Sequence, residues 1–345
     1  MRRRAIAYAL LSAALFGAST PLAKLLVGSV APLALAGLLY LGSGLGLAMW
    51  VAVRRSATAT NLSLRDLPWL GAAIICGGIV GPALLMYGLA RTDAASASLL
   101  LNLEAVFTAA MAWIVFRENV DRRVFVGMLA IIAGGVVLSW EQMPKASGAL
   151  GPLLVVGACF AWALDNNLTR RVSGGDAVVI AAVKGLVAGA ANLGLALALG
   201  AYLPAPGAMA LAGVVGLLGY GISLVLFIMA LRDLGAARTG AYFSVAPFFG
   251  AILALLLPAT STGPAFWAAA VLMALGVWLH LTERHEHEHL HEAITHAHEH
   301  THDAHHRHEH EPGLDGREPH SHVHRHGPLR HRHPHYPDLH HRHEH

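Results

Sequence analysis

Histidine is missing from this 345-residue chain up to Leu279; all 24 histidines lie at or after His280. The greater part of the protein thus lacks the commonest general base and metal ligand. Cysteine is nearly absent as well. Only Cys76 and Cys159 occur, each inside an apolar run, which excludes a disulfide framework and reads as two small core residues. Charge is scarce, at 13% of residues against 55% hydrophobic, where soluble domains carry roughly a quarter charged residues. No Walker or GxGxxG loop occurs, so nucleotide drive within the chain is not expected. HExxH and GxSxG are missing too, and the chain reads as a non-enzyme.

What the sequence has instead is length of apolar run. Ten such runs, at about 5–27, 31–53, 68–90, 94–116, 124–140, 149–168, 177–200, 208–231, 236–257 and 264–282, fill the chain up to its tail. Each approaches the ~20 residues that a helix needs to cross hydrocarbon. The first continues to about Val27, so a retained helix is expected rather than a cleaved signal. The expected fold is an all-α integral membrane protein.

The little charge present is unevenly placed. Residues 1–280 carry 17 Lys+Arg and 9 Asp+Glu, net +8, while residues 281–345 carry 7 and 12, net −5. The pI of about 9.0 averages two different objects and points to no nucleic-acid partner. With the N-terminus inside, the cytoplasmic segments hold thirteen arginines and the outer loops only Arg91 and Lys145. That bias predicts cytoplasmic N- and C-termini in a multi-pass protein of the cell inner membrane, with lipid as its first partner.

The runs fall into two similar sets of five. When the chain is laid on itself so that Leu89 meets Leu231, Ala94–Ala95 meets Ala236–Ala237 and Phe107 meets Phe249. One position further along, Gly42 and Gly46 meet Gly185 and Gly189. An odd number of spans per copy forces the second copy to insert upside down, an architecture recurrent in secondary transporters. The expected units are 1–145 and 146–282, each a five-helix repeat, and 283–345, a tail. The GxxxG pairs allow close helix packing within one chain or between two copies as a homodimer.

Three stretches carry a family likeness: Phe16-Gly17-Ala18-Ser19-Thr20-Pro21-Leu22-Ala23-Lys24; Leu89 through Asn102-Leu103-Glu104-Ala105-Val106-Phe107 to Phe116-Arg117-Glu118; and Ser244-Val245-Ala246-Pro247-Phe248. With the pattern of ten, they make 5–282 resemble the EamA-type members of the drug/metabolite transporter superfamily. The resemblance implies a carrier for a small solute such as a metabolite, amino acid or drug-like molecule, working outward. The chain departs from the family where Ala105 replaces a frequent proline, where Glu118 has no mate in the second copy, and in the tail.

Ionisable groups inside hydrocarbon are expensive and mark pathways by default. Four fall within the runs: Lys24, Glu104, Asp165 and Lys184. Glu104, near the middle of span four, suits a coupling proton or a cationic solute; the competing reading is a structural ion pair with Lys184. Lys184 serves equally as partner of Asp165. Asn166 follows Asp165, and Lys24 lies near the outer end of span one, placed to snorkel. Asn102, Tyr87, Tyr242, Trp162, Tyr220 and Ser244 are further candidate liners. Pro21, Pro82 and Pro247 interrupt spans one, three and nine and are candidate hinges.

The tail alternates histidine with acids. His285, His287, His289 and His291 form one run and His296, His298, His300 and His302 another. Neutral imidazole suits Zn, Ni, Co and Cu, so no cofactor is required by the spans but a divalent metal on the tail is expected. With almost no apolar residues the tail is expected to be disordered without metal. Two other uses stay open: a solvated polar tail, and a charge switch near pH 6.5. A transition-metal exporter fed by the tail is the alternative function. Against it, the spans hold no close acidic pair, and their only imidazole, His280, lies near the end of the last run.

Overall fold

The computed structural model describes residues 2–54, 64–116, 122–142, 149–257 and 262–282, and in the tail 286–291, 295–300, 320–325 and 329–334. Glu118, Lys145, His285 and His302 lie outside the described residues.

Up to residue 282 the described elements are helical. In order they are α1 (Arg2–Leu26), α2 (Pro32–Arg54), α3 (Leu67–Ala73), α4 (Gly81–Leu89), α5 (Ala94–Leu100), α6 (Leu103–Phe116), α7 (Arg122–Gln142), α8 (Leu150–Val172), α9 (Ala177–Ala198), α10 (Pro206–Gly216), α11 (Ser223–Phe243), α12 (Ala246–Leu255) and α13 (Pro264–Leu281). Wide π-helical turns, Ile74–Val80 and Leu217–Ile222, join α3 to α4 and α10 to α11. Among the described residues, eight segments are long and apolar enough to cross a membrane. The other two expected spans are α8, whose C-terminal end carries Asp165, Arg170 and Arg171, and the shorter Thr239–Leu255. Large apolar side chains such as Trp50, Ile114, Val136, Ile252 and Trp278 stand exposed around the bundle. That is the surface a lipid-facing bundle presents and a soluble one avoids.

The irregularities repeat with the sequence. The π turns begin at Ile74 and Leu217, which fall on each other in the same alignment that pairs Gly42 with Gly185. The breaks in spans four and nine, at Leu101–Asn102 and Ser244–Val245, coincide in that alignment as well. Packing follows the same rule: α1 lies against α11 and α12, α8 against α4 and α6, α2 against α9, and α7 against α13. Span one of each copy thus packs on spans three-four of the other.

One boundary differs from expectation. Backbone across 232–238 stays helical within α11, where the hydropathy pattern places a turn between spans eight and nine. No proline or glycine pair interrupts this stretch, and Arg232 is tied to the loop between α8 and α9 through Ser173 O (3.1 Å) and Gly175 O (2.6 Å). The glycine pairs pack within the chain. Gly185 meets the backbone of Gly44 and Gly189 that of Leu41, while Gly42 faces Gly213 and Gly46 faces Leu217.

The tail forms a separate unit over 284–336. In it β1 (Glu286–His291) pairs antiparallel with β4 (Leu329–Pro334), and β2 (Thr295–His300) with β3 (His320–Arg325). Strict alternation of histidine with other residues has the period of a strand, and backbone pairing uses it.

Candidate functional site

Proline at position 82 starts the construction of the site. It has no amide hydrogen, so the carbonyls one turn back lose their partners. Gly81 N donates instead to Cys76 O. Side chains from three other helices take up the vacated acceptors. Tyr40 Oη donates to Gly77 O at 2.7 Å, Trp162 Nε1 to the same oxygen at 2.9 Å, and Asn192 Nδ2 to Gly78 O at 3.0 Å. Pro82 is thus a junction where α2, α8 and α9 are fastened to span three. Pro247 sits in the first turn of α12, where a missing amide costs little, and Pro21 is internal to α1.

Asp165 comes close to this junction because Gly77 has no side chain; a Cβ there would strike the carboxylate. Lys184 Nζ lies 2.5 Å from Asp165 Oδ1 and 3.0 Å from Thr169 Oγ1, and Thr169 donates to the same carboxylate oxygen at 2.8 Å. Lys184 is 1% exposed. Its charge is therefore met by Asp165, not by Glu104.

Glu104 stands in the first turn of α6, just after the break of span four, where a helix N-terminus favours negative charge. Asn166 Nδ2 donates to its Oε1 at 2.7 Å. Among the described residues no cation pairs with it. Glu104 and Asn166 form a wall shared by two cavities, one of about 450 Å³ counting its open mouth and one of about 360 Å³. The larger is bounded by Phe16, Tyr40, Trp162, Tyr220, Phe227 and Phe243; the smaller reaches Thr108, Ser244 and Pro247 beside the break of span nine.

Glu104, Asp165 and Asn166 line the larger cavity, with Trp162 and Tyr220. Lys184 lies behind it. Lys24 is anchored elsewhere, donating to Leu89 O and to Thr92 O (2.8 Å) at the end of span three. Asn102 bonds back to Leu99 O at 3.0 Å and supports the helix break. Tyr87 packs under Arg91, 6.0 Å from its guanidinium. Tyr242 gives way to its neighbour Phe243 on the cavity wall. The sequence reading did not find Phe16, Phe227, Phe243, Tyr40 or Asn192. The aromatics carry no charge to announce them in an apolar run, although Phe16 falls within the first motif. His280 is outside the cavity, its Nε2 3.1 Å from Val124 O.

The profile of the EamA-like transporter family matches residues 3–140 and again 149–282. A protein of Methanothermobacter thermautotrophicus described as an uncharacterized transporter is 29% identical over 259 residues, covering 70% of this chain and 76% of its own. A solved crystal structure superposes with a TM-score of 0.62 at 18% identity, over 80% of this chain and 94% of that one; it is similar in fold.

Proposed function

The chain belongs to the EamA-like transporter family, and we propose that it is a secondary carrier moving a small polar or amphipathic solute outward across the cell inner membrane, with both termini cytoplasmic. The observation that supports this reading is the cavity between the two repeats, with a buried carboxylate, Glu104, that among the described residues is held by the amide of Asn166. The helix breaks at Leu101–Asn102 and Ser244–Val245 flank it. In carriers of inverted repeats, broken helices form the central site around which one half rocks against the other. Glu104 is the group that would carry a coupling proton, because Asp165 already has its cation.

The test is transport by the full chain in vesicles with an imposed pH gradient, across a panel of amino acids, amines and drug-like solutes. A solute driven by the gradient in the native chain, with the drive lost in Glu104→Gln, supports the reading. Unchanged drive in both Glu104→Gln and Asp165→Asn rejects the proton's place in it. Absence of protein-dependent flux for the whole panel rejects the carrier.

Nothing in the cavity favours the metal-export alternative. Its described lining offers one unpaired carboxylate and no imidazole or thiol, where a dehydrated divalent cation needs several such ligands.

A further inference from the structure

The wall of the larger cavity is a continuous set of aromatic rings. Tyr40 and Tyr220 have centroids 5.2 Å apart, Tyr220 and Phe16 5.7 Å, Phe16 and Trp162 5.4 Å, Phe16 and Phe243 5.4 Å, and Phe243 and Phe227 4.9 Å. The rings come from α1, α2, α8, α11 and the second π turn, so the cluster exists only in the assembled bundle. All six line the cavity. Their faces carry the negative end of the ring quadrupole.

The charge facing this space has one sign. Of the lining residues only Glu104 and Asp165 are acids or bases, and Lys184 lies 2.5 Å from Asp165. Glu104 is left, with one oxygen held by Asn166. An anionic solute would meet a carboxylate and no cation on this wall. A many-hydroxyl neutral solute would find few partners, since Ser223 and Asn166 are the only uncharged polar side chains on the wall besides Tyr40, Tyr220 and Trp162, and Tyr40 and Trp162 are already spent on Gly77.

Resting on the carrier reading above, we infer that the solute is an organic cation: an ammonium or quaternary ammonium group on a compact apolar or aromatic body, with Glu104 as counter-ion and the rings around Phe16 enclosing the charge. Aromatic cages are how quaternary ammonium groups are recognised.

The test uses the full chain, purified in detergent, and three probes of similar bulk: benzyltrimethylammonium, benzyl alcohol and benzenesulfonate, titrated by calorimetry. The expected result is binding of the cation at least tenfold tighter than of the other two. Glu104→Gln should weaken the cation tenfold or more and leave benzyl alcohol unchanged, and Phe16→Leu should weaken the cation several-fold. Should Glu104→Gln fail to fold, Phe16→Leu and Phe227→Leu carry the same comparison. Equal binding of cation and alcohol, or cation binding indifferent to these variants, overturns the inference. Vesicle flux separates it from the carrier reading. Protein-dependent flux of anions or neutral solutes alone would sink the cation class while leaving the carrier intact, and cation binding without flux of any solute would do the reverse.

Discussion

Lys184 reaches Asp165 across 2.5 Å at a depth where the lysine is 1% exposed. The ion pair joins α9 to α8, the helix whose Asn166 bonds Glu104, and it decides the electrostatics of the centre. A lysine that instead served Glu104 would have left Asp165 as the open group. Thr169 bonds both partners, so the pair is oriented as well as neutralised.

Breaking that pair from one side should be costly. Lys184→Met leaves a buried carboxylate without its cation, and loss of one partner of such a pair typically destabilises by about 3–5 kcal/mol. The double variant Lys184→Met with Asp165→Asn should recover most of that loss. Thermal unfolding of the purified chain checks both. A double variant no better than the single would show that the pair is not the source of the cost.

Close approach of α2 and α9 depends on glycine. A Cβ on Gly185 would lie 2.5 Å from Gly44 N and 2.9 Å from Tyr40 O, whereas Gly194, on the same helix, has nothing within 4 Å. Gly185→Val should destabilise by about 1–3 kcal/mol, the usual range for overpacking. Gly194→Ala should be neutral or slightly stabilising because it removes a flexible residue from a helix. Melting temperatures of the two variants, measured side by side, read the difference.

The link between Pro82 and Asn192 predicts a coupling. Asn192→Leu leaves Gly78 O without its donor, a loss of about 1–3 kcal/mol for a buried acceptor. In Pro82→Ala the new amide can serve that carbonyl, so the same substitution should cost less. A double-mutant cycle on unfolding measures the coupling directly. Simple additivity would mean that the carbonyl finds another partner.

Paired strands in the tail put histidines in register with one another. His287 is opposite His333, His289 opposite His331, and His296, His298 and His300 are opposite His324, His322 and His320. Neutral imidazole suits Zn, Ni, Co and Cu. Titration of the full chain with Zn²⁺ or Ni²⁺ should therefore show binding that disappears when 283–345 is deleted. Replacing His298 and His322 together should lower the number of ions bound. Unchanged stoichiometry would count against the paired arrangement.

Much of the architecture was written in local pattern. The runs, the internal repeat and the loop arginines give spans and copies, because burial in lipid is a property of each segment alone. The repeat even marks the breaks. Asn102 and Ser244 fall on each other in the alignment that pairs Leu89 with Leu231. Each bonds a carbonyl one turn back, at Leu99 (3.0 Å) and Ala241 (2.6 Å). Polar residues in hydrocarbon flagged Glu104, Asp165 and Lys184 as well. Partner choice was not legible. Lys24 and Tyr87 look like liners in the sequence and are occupied elsewhere, and Tyr242 misses the cavity by one position, a rotation of about 100° on a helix.

The sequence by itself determined that this protein is a membrane bundle of two five-helix copies with a histidine tail, since hydrophobicity and charge act segment by segment. Only the tertiary structure decided that Lys184 neutralises Asp165 and leaves Glu104 to a ring of aromatics. That outcome depends on which helix faces meet, and the helices must be packed before Phe16, Tyr40, Trp162, Tyr220 and Phe243 surround one space.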